Sequence, residues 1–293
     1  MTILVTGSTG TIGSQVLTQL QGHGVELRAL TRSPETSKFP AGVTPVKGDL
    51  ADVDSVRAAL SGVTELFLLV PGVADELTQA MLALSVAREV GIKGIVYLSV
   101  FKGELYTDVP HFAGKHTVER MIDDLGLPAT VLRPAYFIQN DLRQKEPLFN
   151  MGVYGSPVGS KGLSMVDIRD IGAAAAIELL RRNRAAQPLI REAYDLVGPE
   201  PLTGDTIAAI WGEALGRAIR YGGNDLRILE QRLKSVLPSW HALDLRLMFS
   251  RYQTDGAVAT AAELNHLTAL LGRAPRSYRD FAREAAGQWG AEP

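Results

Sequence analysis

The chain has 293 residues, 46% hydrophobic and 21% charged, a length and balance that allow one or two packed domains. A formal net charge of −2 offers no basic field for nucleic acid or for an anionic membrane surface. The absence of cysteine excludes disulfides, thiol nucleophiles and cysteine-ligated metals.

In chain order, Thr2-Ile3-Leu4-Val5-Thr6 predicts a strand directly after Met1. No basic region precedes it and no apolar run approaches the roughly 20 residues of a membrane helix, so the expectation is a cytoplasmic chain without a signal peptide. Further strand-like runs fall at 25–30, 43–47, 65–70, 94–99 and 129–133, with helical patterns between them at about 11–22, 52–60, 74–90 and 111–125. This alternation predicts crossover units around a parallel sheet covered on both faces. Runs 65–70 and 94–99 are almost wholly apolar, as strands buried on both faces should be.

After Pro134 the rhythm stops. Residues 139–160 are rich in Gly and Pro and read as a loop; 162–182 reads as a short strand followed by an alanine-rich helix; 193–199 (AYDLVGP) reads as a strand returning to the sheet. From Leu202 the pattern is mostly helical, at about 203–216, 224–236, 240–252 and 258–271 and again from Ser277. The expected organisation is a sheet domain from 1–138 plus about 161–198, and a smaller, mainly helical substrate-binding or cap domain from 139–160 plus 199–293. Ligands of such folds bind at the carboxyl edge of the sheet.

The stretch VTGSTGTIGS (5–14) places Gly7, Gly10 and Gly13 between the first strand and the first helix. Gly7 permits the tight turn, Gly10 lets backbone approach a phosphate, and Gly13 lets helix and strand pack closely. The helix N-terminus beyond them offers unpaired N–H groups to a pyrophosphate. The fold expected is therefore α/β, a Rossmann-type doubly wound sheet, with a dinucleotide as its ligand. An NAD site usually carries an acidic residue after the second strand. Here ALTRSP (29–34) supplies Arg32 instead, and Lys38 follows. A guanidinium grips a 2′-phosphate where a carboxylate would repel it, so NADP(H) is expected in preference to NAD(H).

The G7-x-x-G10-x-x-G13 spacing resembles that of extended and atypical short-chain dehydrogenase/reductases. TRSP (31–34), KGDLAD (47–52), LRPAYFIQN (132–140), LVGPEPLT (196–203) and LLGRAPRSYRDF (270–281) together resemble the NmrA-like branch, which includes NADPH-dependent quinone reductases and cofactor-sensing regulators. The resemblance implies that Thr11 and Ile12 present backbone N–H groups to the pyrophosphate, with Thr9 in the same binding loop. It implies that Asp49 and Leu50 border the adenine, that Val70 and Pro71 line the path toward the nicotinamide ribose, and that Ser99 ends the fifth strand near the nicotinamide. Lys115 would hydrogen-bond the nicotinamide ribose, and Pro134, Tyr136 and Phe137 would shape the nicotinamide wall.

The typical short-chain reductase has a tyrosine four residues before its lysine, whose positive charge lowers the phenol's pKa for proton transfer to a carbonyl oxygen. Here the stretch is His111-Phe112-Ala113-Gly114-Lys115, and Tyr106 lies at the wrong spacing. A lysine beside a histidine disfavours imidazolium, which leaves a hydrogen-bond donor but a poor acid. Ketone reduction, which makes a basic alkoxide, would lack its proton source. A quinone or conjugated alkene is less demanding, because the hydride's electrons spread into a delocalised anion that water protonates later. Lys115, His111 and Ser99 are the candidate catalytic residues; His116, Glu119, Arg120 and Asp123 read as the solvated face of the same helix.

No metal motif and no nucleophile elbow appears. Asp167 and Asp170 in VDIRDIG (166–172) read as an acid-enriched helix start. Trp240, His241, Phe249 and Tyr252 fall on one helix as candidates for a substrate cleft, for core packing or for a subunit contact. The expected activity is NADPH-dependent hydride transfer to an electron-poor small molecule, by a monomer or homodimer; the alternative is a catalytically silent NADP(H)-sensing regulator.

Overall fold

Strand β1 (Thr2–Val5) is buried along its whole length, and its exit forces the chain through the glycine turn. Helix α1 (Thr11–Leu20) follows and buries Ile12, Val16, Leu17 and Leu20 on one face. Next come β2 (Glu26–Thr31), β3 (Val43–Lys47), α2 (Val53–Ala59), β4 (Glu65–Leu68), α3 (Glu76–Glu89), β5 (Gly94–Leu98), α4 (Pro110–Asp124) and β6 (Ala129–Pro134). After an excursion, α5 (Ile168–Arg184) and β8 (Glu192–Leu196) complete the sheet; β7 (Val153–Tyr154) lies in the excursion. The remainder comprises α6 (Gly204–Leu215), β9 (Arg220–Tyr221), α7 (Leu226–Lys234), α8 (Ser239–Thr254), α9 (Ala261–Leu271) and α10 (Tyr278–Gly290). This computed structural model describes residues 1–290; residues 291–293, the end of the range expected for the smaller domain, lie outside the described residues.

The main sheet has seven strands in the order β3-β2-β1-β4-β5-β6-β8. The β1–β2, β2–β3, β1–β4, β4–β5 and β5–β6 pairings are all parallel. Strand order reverses between β1 and β4, so the crevice at their carboxyl ends is the topological switch point where such sheets bind ligands. The α/β doubly wound fold expected from the alternation is the fold observed.

The chain divides into two compact units. The first comprises Met1–Leu105, Pro110–Pro134 and Ile168–Asp195; the second comprises Tyr106–Val109, Ala135–Asp167 and the chain from Leu196 onward. The divisions fall after Pro134, Asp167 and Asp195, against the 138/139, 160/161 and 198/199 expected from the sequence, and they assign Tyr136, Phe137 and the segment 106–109 to the second unit. In the first unit one apolar layer joins Leu4, Leu30, Leu66, Leu84, Ile95, Tyr97 and Ile122. On the same unit α5 packs against α1 so closely that a Cβ on Gly172 would stand 2.8 Å from Cβ of Gln15.

In the second unit, residues 139–160 are not a plain loop. A 3-10 stretch (Ile138–Gln144) and a π-helical turn (Pro147–Met151) lead into β7, which pairs in parallel with β9. The cause is Asp141. Its carboxylate is fully buried and accepts hydrogen bonds from Tyr278 (2.6 Å), Tyr154 (2.9 Å) and Ser156 (3.3 Å), which wind the segment around one point. Burial pushes the Asp141 carboxyl up to about 6, against the downward pull of those three hydroxyls. Tyr278 in turn accepts from Trp211 Nε1 at 2.9 Å. The short strand expected at about 162–167 is also absent: Leu163 makes single bridges to Leu202 and Ala257, and Val166 one to Phe137, so no ladder extends.

Candidate functional site

The glycine turn is fixed from below. Thr6 Oγ1 donates to Leu69 O and accepts from Leu69 N–H, both at 2.8 Å, which ties the end of β1 to the residues after β4. Ser8 Oγ donates to Leu30 O at 2.6 Å, tying the turn to β2. Gly7 has φ +59°, and Gly10 N–H donates to Gly7 O at 3.0 Å. A Cβ on Gly13 would stand 2.3 Å from Gly7 O, a distance no side-chain carbon tolerates. The N-cap of α1 is Gly10, with no side-chain cap and no acidic residue in the first turn. The leading N–H groups of α1 thus have no competing side chain, and the macrodipole favours an anion there. Thr9, Gly10 and Thr11 are exposed at this mouth while Ile12 and Gly13 anchor the helix. The turn fits a dinucleotide pyrophosphate.

The other cofactor candidates of the first unit follow the carboxyl ends of neighbouring strands. Arg32 and Lys38 are exposed after β2, and Arg32 has no ion pair among the described residues. Asp49 is half-buried after β3; its N–H donates to Ser55 Oγ (2.9 Å), and its Oδ1 accepts from Ala51 N–H (3.0 Å). Leu50 is buried in the apolar layer. Val70 is buried and Pro71 exposed, two and three residues past the end of β4. Pro134 closes β6 and is buried.

Lys115 is brought to the same edge. Its Nζ donates to Leu98 O, the last residue of β5, at 3.2 Å, and forms an ion pair with Glu76 Oε1 at 2.7 Å. The ammonium stands 5.9 Å from the centroid of the Tyr97 ring. Burial, and after it the charges of Glu76 and Glu119, push the Tyr97 phenol well above its ordinary range, the opposite of what a reductase tyrosine needs. His111 is half-buried one turn before Lys115 and meets Phe112 edge-on at 4.6 Å. The positive charge expected to press on His111 is largely answered by Glu76, whose role the sequence did not signal.

Ser99 and Glu119 behave differently from the sequence expectation. Ser99 Oγ donates to Glu119 Oε1 at 2.5 Å, with both side chains buried. Glu119 is not on a solvated face. It also takes a forked pair of bonds from Arg133 (Nε 3.0 Å, Nη2 2.5 Å to Oε2) and an ion pair from Arg191 at 3.5 Å. Arg191 reaches Asp123 at 2.8 Å as well. Asp167 and Asp170 are likewise fully buried where α5 begins. The remaining signal was faint: a glutamate one helical turn after Lys115, and an arginine inside an otherwise apolar strand.

In the second unit, Tyr136 meets Phe249 and Tyr252 edge-on, with ring centroids 5.7 and 6.1 Å away, while Phe249 and Tyr252 meet at 5.9 Å. Trp240 stacks on His241 at 4.9 Å. Tyr106 donates its hydroxyl to Gly256 O. Among the described residues, no group of three or more His, Asp or Glu is placed to hold a metal, and no helix is long and apolar enough to cross a membrane.

A parallel sheet reversing at β1/β4, with a glycine turn and an uncapped helix start at the reversal, defines an α/β protein of the dinucleotide-binding class. The chain belongs to the NmrA-like family, whose model matches residues 1–273. It is 30% identical over 294 residues to the NAD(P)H azoreductase of Xenophilus azovorans, covering 99% of each chain. It is 26% identical over 240 residues to quinone oxidoreductase 2 of Escherichia coli strain K12, covering 80% of this chain and 82% of that protein. A crystal structure of the NADPH-dependent quinone oxidoreductase QOR2 from Escherichia coli, complexed with NADPH, superposes with a TM-score of 0.81 at 23% identity, covering 96% of this chain and 99% of that one.

Proposed function

We propose that this protein is an NAD(P)H-dependent oxidoreductase that reduces an electron-poor small molecule of the quinone, enone or azo class, with NADPH preferred. The observation that carries the reading is the uncapped start of α1 at the sheet's switch point, where the leading N–H groups carry no side-chain cap and no acidic residue lies in the first turn. The names of the two sequence relatives support the acceptor class. When bound, the nicotinamide supplies the hydride.

The chain's own residues position and bind. The turn Gly7–Gly13, with Thr9, Thr11 and Ile12, holds the pyrophosphate, and Asp49 and Leu50 flank the adenine. Arg32, with Lys38 nearby, takes the 2′-phosphate by a charge-assisted fork. Val70, Pro71 and Pro134 border the nicotinamide half. Lys115 donates to the ribose, and His111, one helical turn earlier on α4, is the donor assigned to the acceptor. The Ser99 hydroxyl serves through its bond to Glu119, which fastens the end of β5. The tyrosine that usually stands four residues before the lysine and passes a proton to the acceptor is absent, so acceptors whose reduced anion is delocalised are the substrates of choice. Catalysis rests on orientation and exclusion of water.

Purified protein is mixed with NADPH and a panel of quinones, enones and azo dyes while the reduced-nicotinamide absorbance is followed. Acceptor-dependent loss of that absorbance is expected, with simple ketones inert. Calorimetric binding of NADPH without turnover on any acceptor would favour the sensor instead, and absence of any binding would end both readings.

A further inference from the structure

We infer that Glu76 and Lys115 form a joint clamp for a vicinal diol, the nicotinamide-side ribose of the cofactor. The inference rests on the dinucleotide reading above and adds a residue to it. Glu76 opens α3, eight residues past the end of β4, and Lys115 lies in the second turn of α4. Both follow carboxyl ends of adjacent strands, β4 and β5, on the side of the switch point away from Arg32. Their side chains are 12% and 16% exposed for Lys115 and Glu76, so each is held by protein yet reachable.

Their hydrogen-bonding capacity is only partly used. Glu76 Oε1 pairs with the ammonium, and Oε2 has no hydrogen bond among the described residues. An ammonium has three donors; here the partners are one carbonyl, Leu98 O, and one carboxylate. The ion-paired groups therefore keep one N–H and one carboxylate oxygen that no protein group takes up among the described residues. A vicinal diol matches that pair: one hydroxyl oxygen accepts from Lys115 and the other hydroxyl donates to Glu76. The pair also has no net charge, so it grips a neutral sugar without projecting a positive field onto His111. That accounts for a lysine kept at a position whose usual tyrosine is missing: this lysine orients a sugar and ionises nothing.

A plain helix-to-helix staple between α3 and α4 would give the same ion pair, and ligand dissection separates the two. Affinities of wild type, Glu76→Ala, Glu76→Gln and Lys115→Met are measured by calorimetry without acceptor, for NADPH and for 2′,5′-ADP, which lacks the nicotinamide ribose; NADH and ADP form a parallel pair. Glu76→Ala is expected to weaken NADPH about tenfold, with 2′,5′-ADP unchanged. Glu76→Gln, which keeps an acceptor oxygen, should lose less, and Lys115→Met should resemble Glu76→Ala. Equal effects on both ligands, or unchanged NADPH affinity in variants whose thermal melts match wild type, would overturn the clamp alone. If wild type binds none of the four ligands, the dinucleotide reading falls and the clamp with it.

Discussion

Arg32 stands at the end of β2 with its side chain in solvent and no acid beside it, which makes it the simplest residue to interrogate. Arg32→Ala should weaken NADPH by about 10- to 100-fold, the size of a lost charge-assisted pair, and leave NADH nearly unchanged. Titration of both coenzymes reads the ratio directly, and an equal loss for both would remove Arg32 from 2′-phosphate recognition. The residues of the glycine turn allow no such mild probe. Gly13 is closed against Gly7 O, so any side chain there deforms the turn before it touches a ligand.

Among the elements, α4 carries the most consequence, because both its polar and its apolar sides are engaged by the rest of the sheet unit. Glu119 gathers Ser99 after β5, Arg133 in β6 and Arg191 ahead of β8. Glu119→Ala leaves Arg133 with Asp195 at 4.0 Å and Arg191 with Asp123 alone, and should cost about 3 kcal/mol in urea denaturation, the lower end for a broken buried pair because both arginines keep another acid and part of their length in water. In the 3-10 stretch the corresponding group is Asp141. Its folded carboxyl titrates near 6 against 3.8 ordinarily, so the native state holds that proton more tightly than the unfolded chain does. The contribution is fully present below about 3.8 and is lost as pH rises through 6. The stability of wild type minus that of Asp141→Asn should therefore fall by about 2–3 kcal/mol from pH 4 to pH 7 and then level off. A flat difference would show that Asp141 titrates normally. These two carboxylates mark the limit of what the sequence makes legible. Strand–helix alternation and the glycine spacing are local patterns, and they are readable. Val118 and Ile122 are recognisable as apolar positions of α4, but nothing in that spacing says that Glu119 beside them is buried as well. Asp141 owes its environment to Tyr278, 137 residues away, and no periodicity connects the two.

At the scale of the whole molecule, each compact unit is assembled from separated stretches, and the first is incomplete until Ile168–Asp195 returns. Residues 1–134 expressed alone would lack both β8 at the sheet edge and the helix that covers α1. Such a fragment should show no cooperative thermal transition by circular dichroism, while the full chain does; a sharp transition in the fragment would mean that α5 is dispensable. The close approach of Gly172 to Gln15 also has a temporal side. On the ribosome α1 is made almost at once, yet the helix that shields it arrives about 150 residues later. At about 5–20 residues per second, the flank of α1 at Gln15 waits on the order of ten seconds for its mate. Until then that flank is open to other partners in the cell, and the packing behind the glycine turn is completed only when translation is nearly two-thirds done.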